Sequence, residues 1–269
     1  MNVRQRQLLT CVGFAALLYS SSTASAQPLS SFAVLGGSTV TNTATPTIVT
    51  GNLGVSPGSA VTGFPPGVVI GGAIHAADAV AGQAQTDLTT VYNDLAGRPC
   101  NTDLTGQDLG GKTLTPGVYC FSSSAQLTGT LTLDAQGNAN SVFVFQIGST
   151  LTTASAASVL LINNASSCSV FWQVGSSATL GTGTALAGSI VALTSITLNT
   201  GSSVTGRVLA RNGAVTLDDN NVTVCSGGAG LPPLPPPTGA IPTLSGWAMI
   251  ALAGLLVLLG WAAMRRLPT

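Results

Sequence analysis

Five short segments between Ser122 and Val224 carry one pattern, a Leu set between small or polar residues. They read AQLTG around Leu127, STLTT around Leu151, ATLGT around Leu180, ITLNT around Leu198 and VTLDD around Leu217. A relative, STVTN around Val40, stands far upstream. Side chains alternate faces along a β-strand, so a buried Leu turns both neighbours outward. Those neighbours are Thr39 and Thr41, Gln126 and Thr128, Thr150 and Thr152, Thr179 and Gly181, Thr197 and Asn199, and Thr216 and Asp218. Stacked, they form a Thr-rich ladder with almost no charge. The chemistry open to such a surface is recognition of water. A Thr hydroxyl anchors a water, its methyl orders others nearby, and its stiff χ1 limits the entropy lost on adsorption.

Residues suited to bond-breaking chemistry are sparse. Glu does not occur, Lys112 is the only Lys and His75 the only His. Polysaccharide-cleaving enzymes need paired carboxylates or a basic residue in a groove. The adjacent Asp218 and Asp219 point to opposite sides of a strand. Asp103 and Asp108 fall in a loop-like stretch and offer at most a weak cation site. These residues point to a protein that is not an enzyme and needs no cofactor or metal. A non-catalytic adhesin or matrix protein is the other reading. It calls for an exposed aromatic groove, and Trp172 is the only Trp outside the C-terminal segment.

The Leu-to-Leu spacings are 24, 29, 18 and 19 residues. Irregular repeats of this length, rich in Thr, Val, Leu and Gly, indicate a mainly β protein built as a β-solenoid. From Ile74 the period changes. Ile74, Ala77, Ala81, Ala84, Leu88, Val91 and Leu95 alternate spacings of three and four, which predicts an amphipathic helix of about 23 residues ended by Gly97 and Pro99. At roughly 1.5 Å per residue it would run alongside about seven rungs. VFVFQIG and VFWQVG are dense enough in Val, Phe and Trp to be strands in the core or under that helix.

Charged residues make up only 6% of the chain, too few and too evenly signed for a nucleic-acid footprint. Arg4, Arg6, Arg265 and Arg266 lie in the terminal segments. The remaining four basic and eight acidic residues give the central domain a charge of −4, which favours a soluble monomer. Residues 1–26 read as a secretory signal: Arg4 and Arg6, an apolar run from Leu8 to Tyr19, and the small-residue cleavage site Ala24-Ser25-Ala26. Cys11 sits inside that run, but Thr10 is a poor residue before a lipid-modified Cys. In an exported chain Cys100, Cys120, Cys168 and Cys225 imply two disulfides. Three pairings exist. Cys100–Cys120 with Cys168–Cys225 is preferred, because the first closes a short loop and the second ties down the last coil.

Residues 27–226 form the β domain and 227–240 a Pro-rich spacer, LPPLPPPTG at its centre. In residues 241–269, Trp247 to Met264 is an uncharged run followed by Arg265 and Arg266, enough for a membrane span with a positive cytoplasmic end. Ile241-Pro242-Thr243-Leu244, then Trp247, the apolar run and the Arg pair resemble the IPTL-type C-terminal sorting signal of Gram-negative bacteria. The resemblance implies a membrane processing enzyme as partner and delivery towards the cell surface.

The central residues also resemble a family. FAVLGGSTVTNT, TGNLGVSPG, IHAADA, LTPGVYCFSSSAQLTGTLTLDAQG, VFVFQIGSTLTTAS and GRVLARNGAVTLD are similar to the bacterial and fungal ice-binding proteins. The resemblance implies a discontinuous, triangular β-solenoid with one long α-helix alongside. It also implies an N-terminal strand inserted between later coils, and adsorption to ice through one flat face. Ice offers no charge and no pocket, so a rigid, weakly polar, repeating face suits it.

Overall fold

The computed structural model describes residues 29–43 and 46–225, all within one compact unit. Each coil passes through three faces. In one coil, Ala185–Ala192 bends across two faces and Ile196–Leu198 lies on the third. The bend falls at Gly188 and, one rung on, at Gly206, with φ of 112° and 152°. These φ values favour glycine, and a Cβ on Gly206 would sit 2.0 Å from the Gly188 carbonyl oxygen. All strand pairs are parallel.

The helix-side face contains Phe143–Ile147 and Val170–Val174 beside the second halves of Ala185–Ala192 and Ser203–Ala210. Its strands are buried on both sides, which is why their sequences read as continuous apolar runs. Inward, Tyr119, Phe145 and Trp172 stack in sequence, with centroids 5.5 Å and 4.0 Å apart. Trp172 is fully buried and donates its Nε1–H to the Ala187 carbonyl, so it offers no platform to a ligand. Outward, Val144, Phe171, Val191, Leu209 and Leu35 meet the helix through Ala84, Leu88, Val91 and Leu95.

That helix spans Ala79–Ala96, shorter than the periodicity predicts. Asp78 caps it, its Oδ1 accepting from Ala81 N at 2.8 Å, and Ala77 is left-handed with φ 53°. Ile74–Ala76, expected in the first helical turn, pairs with Leu53–Val55 as a strand. The three-and-four spacing of Ile74 and Ala77 is therefore accidental, and both residues are exposed. At 18 residues the helix covers about 27 Å, or between five and six rungs. His75 bonds Asp78 at 2.7 Å and packs its ring on Phe32, a structural role.

The N-terminal strand Phe32–Gly36 lies inside the stack, but not between two late coils. Its neighbours are the late strand Ser203–Ala210 and the early strand Asn52–Val55. The stack thus passes from Asn221–Thr223 directly to Ile48–Thr50. Arg207, only 3% exposed, holds this junction. Its Nε and Nη2 donate to the Ser30 carbonyl at 3.1 and 2.9 Å, and its Nη1 lies 3.5 Å from Cys225 Sγ. Burial lowers its pKa to about 10. Cys225 is disulfide-bonded to Cys168, and Cys100 to Cys120.

Candidate functional site

The face away from the helix is a seven-stranded sheet of three- and four-residue strands. In order it contains Ala125–Leu127, Leu151–Thr153, Ala178–Leu180, Ile196–Leu198, Val215–Leu217, Thr39–Asn42 and Ala60–Thr62. Its inner side is packed by two columns. One is Ala125, Leu151, Ala178, Ile196, Val215 and Val40, all buried. The other holds Leu127, Leu180, Leu198 and Leu217, with Thr153 and Asn42 completing it. Both polar members make hydrogen bonds: Thr153 Oγ1 meets Thr184 Oγ1 at 2.7 Å, and Asn42 Nδ2 donates to the Gly63 carbonyl.

The repeated Leu is therefore not one column. Leu151 and Val40 stand two residues out of step with Leu127, Leu180, Leu198 and Leu217, because Thr153 and Asn42 fill their places. A two-residue slip keeps the same side outward, so the outward phase survives while the outward columns regroup.

The central outward column reads Gln126, Thr152, Thr179, Thr197, Thr216, Thr41 and Thr62 in unbroken register. Strand spacing places successive hydroxyls about 4.7–4.9 Å apart. The hydroxyls of Thr152, Thr179, Thr197 and Thr216 make no hydrogen bond within the described residues, so all four are free for water, whereas Thr62 donates to Thr41.

The remaining expected residues flank this column. Thr150 and Thr39 lie on one side with Ser124, Ser177 and Ser195; Ser124 and Thr150 share a 2.8 Å hydrogen bond. Ser177 and Ser195 turn their hydroxyls to backbone N–H groups of the next rung, which rigidifies that edge. Thr128, Gly181, Asn199 and Asp218 mark the other side, beside Thr43.

Asp218, expected among the outward neighbours, is outside the central column. Its carboxylate accepts from the Thr43 and Thr200 hydroxyls at the corner. Asp219 is left-handed and exposed, so the two acids do not converge on one point. Asp108 pairs with Gln126 and closes the ladder at that end. Burial alone would raise its pKa, but hydrogen bonds from Thr128 and from the backbone N–H groups of Gly110 and Thr128 outweigh this and hold it low. Asp103 is likewise tied to its own loop by Thr105.

Thr62, Ser124, Ser177 and Ser195 escape a search keyed on Leu. The fragment AVT around Val61 carries the first of these with Val in the Leu position. The serines sit in the corner before each strand, where no periodicity marks them.

A parallel sheet of register-aligned Thr with uncharged strands, in a β-coil stack with one long helix, matches a known group. The Ice-binding-like family model matches residues 34–223. The chain belongs to this family. A second model, the IPTL-CTERM motif, matches residues 240–266. As a member of the Ice-binding-like family it is 57% identical over 227 residues to an ice-binding protein of Nostoc sp. (strain HG1), with 83% of each chain covered. An ice-binding protein of Colwellia sp. is 34% identical over 205 residues, covering 71% of this chain and 79% of that one. The crystal structure of an ice-binding protein from an Antarctic biological consortium aligns with TM-score 0.69 at 48% identity, covering 72% of this chain and 87% of that chain. That of the Antarctic ascomycete Antarctomyces psychrotrophicus aligns with TM-score 0.71 at 42% identity, covering 74% and 97%.

Among the described residues, no helix is long and apolar enough to cross a membrane. The expected signal peptide at 1–26, the spacer at 227–240 and the span from Trp247 to Met264 lie outside them.

Proposed function

We propose that this protein is an exported ice-binding protein that adsorbs to ice through the seven-stranded Thr face. The observation that carries the reading is the column from Thr152 to Thr216. It has four register-locked Thr in succession, with unpaired hydroxyls and no charged side chain among them. Because the hydroxyls are held by a backbone ladder, little further ordering is needed when a water lattice meets them. The described acids lie at loops, at corners, at the ends of strands of the other sheet or on the helix, so none occupies the centre of the face. Membership in a family of ice binders supports a non-enzymatic role.

The sorting motif supports delivery to the surface of the exporting cell, with the Trp247–Met264 run as a membrane anchor handled by sorting machinery in a Gram-negative host. Truncation after Pro237 should then release the protein from the membrane fraction. A full-length protein that fractionates as freely soluble would refute the anchor.

The test of the main reading is whether purified Gln27–Cys225 shapes a growing ice crystal and separates its freezing and melting points. Unshaped growth at all concentrations would remove ice as the ligand.

A further inference from the structure

The chain order breaks once within the Thr face. From Ala125–Leu127 to Val215–Leu217, each strand pairs with that of the next coil along the chain. The neighbour after Val215–Leu217 is Thr39–Asn42, which arrives from the N-terminal region. No single coil of chain joins these two strands. A slip of two residues between them would still turn hydroxyls outward, since Thr39, Thr41 and Thr43 alternate with Val40 and Asn42. The outward surface alone therefore does not set this register.

Asp218 stands at this junction. Among the flanking positions Thr128, Gly181, Asn199, Asp218 and Thr43, it alone is charged. An acid beside an otherwise uncharged face gains nothing from a neutral lattice, so its placement calls for another reason. One carboxylate oxygen, Oδ2, accepts from the Thr200 hydroxyl on the rung before. The other, Oδ1, accepts from the Thr43 hydroxyl at 2.7 Å on the rung after, between residues 175 positions apart in the chain. One side chain thus ties three successive rungs, a span of about 9.6 Å. The corner behind it is fixed too. The Asp218 N–H donates to Asn220 Oδ1 at 2.6 Å. Asn220 is 3% exposed, and its Nδ2 donates to the Asn199 and Ser202 carbonyls. Its backbone N–H donates to Thr47 Oγ1 at 3.0 Å, a second bond across the junction.

We propose that Asp218 is a positioning residue for the adsorbing face. It does not touch ice. It holds Thr41 and Thr62 in register with Thr216, so that the two parts of the central column act as one surface. This inference rests on the reading of the Thr face as the ice-binding surface. Freedom left to the strand of Thr41 would have to be lost on adsorption, which weakens binding.

The test measures thermal hysteresis and amide hydrogen exchange on the full-length protein and its variants. Asp218→Ala and Thr43→Val should each lower hysteresis by roughly a third or more, because two of the seven column positions lose their fixed register. Combined, they should lower it no further than the stronger single variant, since both remove the same bond. In both, the Thr43 amide, bonded to the Leu217 carbonyl, should exchange faster, while the Asn199 amide on the Leu180 carbonyl should not. Asp218→Asn keeps an oxygen that accepts from Thr43 and should retain most of the hysteresis. Thr43→Val conserves shape at an exposed position and serves if Asp218→Ala lowers Tm. Full hysteresis in both single variants, or additive losses in the double variant, would overturn the proposal and leave the ice reading standing. Loss of hysteresis with unchanged Thr43 exchange would make these residues direct ice contacts and would overturn it as well. A wild type without hysteresis would overturn both readings.

Discussion

Thr197 occupies the fourth of seven positions in the central column, three rungs from either end. At about 4.8 Å per rung the face is roughly 29 Å long, so Thr197 has about 14 Å of ladder on each side. In Thr197→Tyr the ring would stand roughly 4 Å above the neighbouring hydroxyls, a full van der Waals contact distance. A rigid face resting on that ring can touch a flat lattice only by tipping, and then only near one end. Thermal hysteresis should fall to a small remainder. Stability should barely change, because an outward residue on a three-residue strand adds nothing to the core. A surface change of about 0.5 kcal/mol corresponds to about 1–2 °C in Tm for a domain of this size. Thr205→Tyr, exposed on the other solvent-facing side of the solenoid, is the control and should keep full hysteresis. The assay is nanolitre osmometry with a parallel melting curve. Full hysteresis in Thr197→Tyr, or its loss in Thr205→Tyr, would show that the Thr column is not the adsorbing surface.

Leu198→Asp, one residue along at 1% exposed, should bury an unpaired charge and cost more than about 3 kcal/mol, read as loss of the cooperative melting transition. Free-thiol titration of the exported protein should find none of Cys100, Cys120, Cys168 and Cys225 reactive. Opening Cys168–Cys225, which spans 57 residues, should cost about 4 kcal/mol by the chain-entropy relation, against about 3 kcal/mol for Cys100–Cys120, which spans 20. Asp78→Ala should remove the helix N-cap and lower stability by about 1 kcal/mol. Burial works against the Asp78 carboxylate, but its bonds to Ala81 and His75 outweigh this and lower its pKa. Its contribution is therefore complete above the unfolded value near 4 and fades as pH falls through the lower folded value. Denaturant melts from pH 6 to pH 2 should show the wild type approaching the Asp78→Ala stability only at the acid end.

The outward side of the ladder was legible because strand alternation is insensitive to a slip of two. Thr152, Thr179, Thr197 and Thr216 face out whichever apolar residue is chosen as the marker. The column assignment was not legible for the same reason. Leu151 and Leu180 look equivalent until register shows Thr153 in the place that Leu180 fills one rung on. The helix was legible from Ala81 to Leu95, where burial imposes the period. Its start was not, because Ile74 and Ala77 match the period while Asp78 alone carries the stop signal for a strand and the cap for a helix.

The order of strands has a further consequence. The two ends of the stack are the coil of Ala60–Thr62, Val68–Ile70 and Ile74–Ala76, and the coil that begins at Thr102–Asp103. The helix is the segment that connects them. Cut open at the helix and joined from Cys225 to Leu29, the same chain would read as one plain spiral, so the native protein is a circularly permuted solenoid with its seam in mid-stack. The seam is where Arg207 grips Ser30 and where Cys225 is tied to Cys168. The segment from Ala77 to Asn101, of which Ala79–Ala96 is helical, must therefore reach from one end of the stack to the other, which ties its length to the height of the stack. A longer ladder cannot arise by adding a coil next to Leu29 or Cys225, since both ends of the described segment lie at the seam inside the stack. Each new rung, at about 4.8 Å, demands about three more helical residues. Such an insertion would rotate the helix by nearly a full turn and return its apolar stripe close to the sheet.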